Sequence, residues 1–295
     1  MEQRPMHGSG PLDPPSPEVA RLYLDEIEVI EQRREERIDR RAVAWQSIVT
    51  AVVTAAIFTA YLLVVRAEAS AAQPLLFLLL VTSQIIAGVG ERNGLQWRTP
   101  RSTRWYMVFV VLFALAVVGT FFALLISPEA RPMWAYFIPG AIMLVGFGGV
   151  GVAQLWKTRG SAPAARPARD PIPLGTRIAT ASVGLLLALA TLSIGVGDDL
   201  TTSIVTLVLM MIVVGWFIAW RTDAGPAALG RYWRWPQFLA YALTVVVMLW
   251  ANVQTVYSGP MATSTYLLCG ALVAALLIGS AVLPEQRRAR DSRRS

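Results

Sequence analysis

The chain holds one cysteine (Cys269), one histidine (His7) and one lysine (Lys157) in 295 residues. A single thiol excludes an internal disulfide framework and a thiolate metal site. A single histidine in a polar N-terminal stretch leaves no imidazole for a nucleophile–base pair in any apolar segment. Charge is scarce too: 15% of residues are Asp, Glu, Lys or Arg, against about 25% in ordinary soluble domains. No cofactor, metal or nucleic acid is expected from this inventory, nor an enzymatic activity.

What the chain has instead is apolar length. Hydrophobic residues make up 55% of it and the mean hydropathy is +0.51. They come in blocks of about twenty, enough to cross a hydrocarbon core about 30 Å thick. The pattern predicts an all-α polytopic membrane protein with eight transmembrane helices, at about 42–65, 74–90, 105–126, 132–155, 178–197, 200–220, 235–257 and 261–283. The first forty residues are polar and lack the layout of a cleavable signal peptide.

The basic residues are unevenly shared between alternate loops. The N-terminal segment, the loops near 91–104, 156–177 and 221–234, and the C-terminal tail carry 24 of the 26; only Arg66 and Arg131 fall in the others. Positive charge marks the cytoplasmic side, so both termini are expected there. No charged residue falls inside an expected span, which argues against proton relays, voltage sensing and ion coupling of the usual kind.

The stretches RSTRWYMVFVVL (Arg101–Leu112) and GRYWRWPQFLAYAL (Gly230–Leu243) set arginine and aromatic residues before an apolar run, 130 residues apart. At the same offset Tyr136 matches Tyr266, Gly140-Ala141 matches Gly270-Ala271, Gly149 matches Gly279, and Ile48, Thr50, Ala51 and Val53 match Ile178, Thr180, Ala181 and Val183. A parallel 4+4 repeat is expected, with four-helix units at 42–155 and 178–283 joined by a Pro/Ala/Arg-rich cytoplasmic linker, 156–177. Arg104, Trp105, Arg234 and Trp235 are expected as interfacial lipid anchors, the indoles at headgroup level and the guanidiniums on phosphates.

Gly149 with Ala153, and Ala271 with Ala275 and Gly279, form small-residue faces expected to pack helices together. Pro139 is expected to kink the fourth span. The amides Gln84, Asn252 and Gln254 are candidate intramembrane polar contacts, more suited to interhelical hydrogen bonds than to substrate.

Residues 1–16 read as a disordered tail, and 17–41 as one charged cytoplasmic helix capped by Ser16 and started by Pro17. Tyr23, Ile27 and Ile30 trace an apolar stripe on it, a candidate partner-binding face for a cytoplasmic protein or for a second copy of the chain. In the tail 284–295, Arg287, Arg288, Arg290, Arg293 and Arg294 suit adhesion to anionic headgroups. The helix YLDEIEVIEQRREERIDRR and its junction with the first span resemble uncharacterised multi-pass membrane proteins of high-GC bacteria. That resemblance implies a bacterial inner-membrane location and no particular activity. Two functions are expected: association, as a scaffold, assembly factor or accessory subunit, or a permease for a neutral or hydrophobic solute between pseudo-symmetric halves.

Overall fold

The computed structural model describes residues 16–36, 39–67, 72–94, 104–126, 131–160, 171–195, 199–219 and 222–283. Their regular structure is helical, with no strand among the described residues. The helices are α1 (Pro17–Glu36), α2 (Arg40–Ala67), α3 (Gln73–Arg92), α4 (Arg104–Ile126), α5 (Met133–Lys157), α6 (Leu174–Gly195), α7 (Asp199–Ile218), α8 (Pro226–Tyr232), α9 (Trp235–Ser258) and α10 (Thr263–Val282). Six of them, α2, α3, α5, α6, α9 and α10, are long and apolar enough to cross a membrane, the pattern of a multi-pass membrane protein. The other two expected spans are α4 and α7, whose described apolar stretches, Val111–Leu124 and Ser203–Ile218, are shorter.

Among the described residues, α1 ends at Glu36 and α2 begins at Arg40. Ser16 caps α1, its hydroxyl accepting the Val19 N–H at 3.4 Å. A fresh helix then starts at Arg40, capped by Asp39, whose carboxylate accepts the Ala42 N–H at 2.9 Å. An Asp at this position satisfies an orphan donor and complements the positive helix end.

Helix crossings in the bundle are built on glycine, but not the glycines expected. In the first half α5 lies on α2, with Gly140 against Ala55 and Thr59, Gly148 against Ala51, and Gly151 against Ala44 and Ile48. In the second half α10 lies on α6, with Gly270 against Ala188 and Leu192 and Gly184 against Leu277. Gly149, Ala153, Ala271, Ala275 and Gly279 are all exposed. One residue is about 100° of helix rotation, so the choice between Gly148 and Gly149 is the choice of face. The helix is irregular on both sides of Pro139: Met133–Phe137 is a 3-10 turn, and a π-helical turn follows over Leu144–Gly148. The α-helical part of α5 starts at Ile138, with Pro139 in its first turn, where a missing N–H is tolerated.

The two halves meet around α9, which packs on α2, α6 and α10, while α3 reaches across to α6 and α8. One apolar core runs through both halves and includes Phe77, Leu78, Leu187, Trp233, Met248 and Leu277. A smaller cluster at the opposite end joins Leu62, Leu63, Leu124 and Tyr136. There the Arg66 guanidinium sits 5.1 Å from the Tyr136 ring centroid, which occupies one of the two arginines that break the charge asymmetry. The helices α4 and α7 lie at the periphery. Leu112, Leu115 and Phe122 of α4 and Leu207, Met211 and Val214 of α7 are exposed, as suits helices that face lipid.

Candidate functional site

A set of specific contacts lies at the arginine-rich end, where α8 is laid on the last turns of α3. Pro226 sets the first turn of α8, and Pro226 to Gly230 are all buried. Small residues are needed here because the two backbones touch. A Cβ at Gly230 would meet the Ile85 carbonyl and lie 2.5 Å from the Val89 nitrogen. A Cβ at Gly88 would meet the Ala227 carbonyl.

The residues after α8 fasten this seat. Trp233, only 1% exposed, donates its indole N–H to the Thr180 hydroxyl oxygen at 2.9 Å. The Thr180 hydroxyl donates to the Thr176 carbonyl at 2.8 Å, and the Thr176 hydroxyl to the Asp223 carbonyl at 2.7 Å. Arg92 donates to the Trp233 carbonyl at 2.9 Å and lies 5.5 Å from the Phe238 ring centroid. Arg231 is hydrogen-bonded to Glu91 across the same junction. That hydrogen bond raises the Arg231 pKa above its ordinary value, against a smaller opposing effect of burial.

Ties between helices continue along α9. Gln237 closes the start of the helix by accepting the Arg234 N–H at 3.1 Å, and it donates to the Ser280 carbonyl on α10 at 2.8 Å. The Tyr241 and Thr82 hydroxyls are 2.7 Å apart. Tyr257 donates to the Leu63 carbonyl on α2 at 3.1 Å. On the first-half side, Gln46 donates to the Ile86 carbonyl at 3.0 Å and accepts from Asn93 at 2.8 Å.

The sequence candidates distribute unevenly over this arrangement. The Arg-aromatic stretch before α9 splits: Trp235 is 72% exposed, in keeping with an interfacial position, whereas Trp233 points into the protein. Arg234 is half-buried at the cap of α9. Arg104 opens α4, but its side chain and that of Trp105 lie outside the described set. Among the amides, Gln84 donates to its neighbour Ser83 at 3.2 Å and Asn252 to the Met248 carbonyl of its own helix at 2.8 Å. Their carbonyl oxygens, together with the Thr244 hydroxyl, are buried without a hydrogen-bond partner. Gln254 is half-buried. Side chains that do join helices include Gln46, Thr82, Arg231, Gln237, Tyr241 and Tyr257.

On α1, Tyr23 is 59% exposed, and Val19, Leu22, Leu24 and Val29 are exposed with it. The side chains of Ile27 and Ile30 lie outside the described set, as do Arg287, Arg288, Arg290, Arg293 and Arg294. Among the described residues, no three His, Cys, Asp or Glu side chains come together as a metal site would require. No family model, curated protein or solved structure matches the chain.

Proposed function

We propose that the chain is a non-enzymatic integral membrane protein that works by association, as a scaffold, assembly factor or accessory subunit. The observation that carries this reading is α1. It is a capped helix of 20 residues standing before the first span, and it presents Leu22, Tyr23 and Leu24 to solvent. Apolar side chains on a charged helix gain free energy only when another surface covers them, about 25 cal/mol per Å² of apolar area. The partner is a cytoplasmic protein helix or a second copy of the chain, held by Tyr23, Ile27 and Ile30.

Replacing Ile27 and Ile30 together by Glu is expected to release the co-purifying partner, or to dissociate the dimer, while membrane insertion stays intact. Partner recovery equal to that of the unmodified chain would remove α1 from the account.

Eight spans, with α4 and α7 crossing the membrane beside the six longer helices, fit the apolar surface both present to their surroundings. The arginine-rich end, where Arg40, Arg92, Lys157, Arg177 and Arg231 gather, belongs on the cytoplasmic side of a bacterial inner membrane, facing anionic headgroups. A duplicated 4+4 origin draws support from matched positions. Tyr136 and Tyr266 are both buried, and Gly140 and Gly270 both sit where the fourth helix of a half crosses the first.

The permease reading has one observation of its own. The unpaired oxygens of Asn252 and Thr244 are buried on the central helix α9, where a neutral solute with a donor group would find partners. It requires substrate-dependent flux in liposomes that falls when Asn252 is changed to Ala. The core between the halves, filled by Leu78, Leu187 and Met248, favours association.

A further inference from the structure

A cleft of about 250 Å³ opens at the arginine-rich end, where the first turns of α2 and the last turn of α5 part. The two helices cross tightly at Gly151 and Ala44, each next in sequence to a lining residue, where a Cβ on Gly151 would lie 2.8 Å from the Ala44 carbonyl oxygen. The cleft is lined by Arg41, Trp45, Val152, Leu155, Trp156 and Arg159, among others.

Three properties of this lining combine. Val152 and Leu155 make an apolar floor. Trp45 and Trp156 stand beside it, 53% and 67% exposed, each with an amphipathic ring suited to the membrane–water boundary. Arg41 and Arg159 bring two guanidiniums, and no acidic residue is among the lining residues. The Arg159 guanidinium lies 5.4 Å from the Trp156 ring centroid, held over the indole face. The nearby carboxylate of Asp39 is turned to its helix, capping α2.

We propose that this cleft binds the headgroup of one anionic phospholipid, with Arg41 and Arg159 on the phosphate and Trp45 and Trp156 against the glycerol region. Both helices that form it are of spanning length, so the cleft lies at their membrane–water boundary, where a headgroup is already present. A planar guanidinium fork matches phosphate oxygens in pairs. A free anion would use the two arginines and leave the apolar floor and both indoles uncovered. A phospholipid covers all of them at once. The site is independent of the partner-helix reading and stands if α1 binds nothing.

The test uses the full chain in nanodiscs of equal parts phosphatidylcholine and phosphatidylglycerol, released gently into native mass spectrometry. The expected result is one phosphatidylglycerol retained in preference to phosphatidylcholine, and roughly tenfold less of it on the R41Q/R159Q variant. Each single variant, on an exposed side chain that the fold does not need, is expected to fall between the two. The singles decide the matter if the double variant does not elute as a single species. Retention that is the same in all variants, or equal for both lipids, overturns the proposal. Displacement of the lipid by millimolar glycerol phosphate would also overturn it, assigning the arginines to a soluble phosphate instead.

Discussion

A single methyl group separates the two kinds of glycine in this chain. At Gly230 an added Cβ meets the backbone of α3, which cannot rotate away as a side chain can; at Gly279 there is nothing within 4 Å. Gly230→Ala is therefore expected to lower stability by about 1–3 kcal/mol, the usual range for overpacking a closed interface. Gly279→Ala is expected to be neutral or to gain up to about 1 kcal/mol from better helix propensity. Chemical unfolding in detergent, followed by helical circular dichroism, compares the two directly. Equal losses at both positions would mean that α8 does not rest on α3 as described.

Among the elements, the junction of α3 with α8 holds a charged pair that spans the two halves. Arg231 and Glu91 keep 48% and 27% of their side-chain surface exposed, so solvent screens the pair and its worth is of the order of 0–1 kcal/mol. A double-mutant cycle with Arg231→Gln and Glu91→Gln is expected to return a coupling in that range, shrinking in high salt. The guanidinium pKa is raised in the folded state. Its contribution is thus complete below the ordinary arginine range and is lost only as pH climbs through the raised value. From the Arg231 side, stability should be flat between pH 6 and 9, roughly the span accessible to such proteins. A coupling well above this range would mean the pair is effectively buried.

The same junction marks the limit of what the sequence discloses. Long apolar blocks gave α2, α3, α5, α6, α9 and α10 within a few residues, because twenty apolar residues in a row have few alternatives. The seven residues of α8, rich in Gly, Ala and Pro, read as a loop because their stability comes from α3 and not from local propensity. A cue was present in GPAALG, where Leu229 is the one large side chain and the glycines and alanines around it permit close backbone approach. Trp233 shares its Arg-aromatic stretch with Trp235, and nothing local distinguishes two indoles separated by a single residue. Only the Thr180 hydroxyl on a distant helix does. The amides divide for a related reason: Gln84 and Asn252 donate only within their own helices, while Gln46, Gln237 and several hydroxyls bond between helices.

For the molecule as a whole, the contacts of α9 with α2 and of α3 with α6 and α8 mean that the halves hold one another without needing the linker. Fragments covering 1–160 and 171–295, coexpressed as separate chains, are expected to insert and co-purify. Adding Gly230→Ala to the second fragment is expected to reduce recovery of the pair several-fold. Independent fragments that ignore each other would show that the linker alone keeps the halves together.

The distance along the chain between the two sides of this seat also sets a clock. Glu91 and Arg231 are 140 residues apart, which at ~5–20 residues per second of synthesis is a wait of roughly 7–28 s. During that interval the groove around Gly88 is already in the membrane with its occupant unmade. A newborn first half is thus an unfinished receptor for the rest of its own chain, and whatever shields that groove meanwhile must leave before α8 can enter.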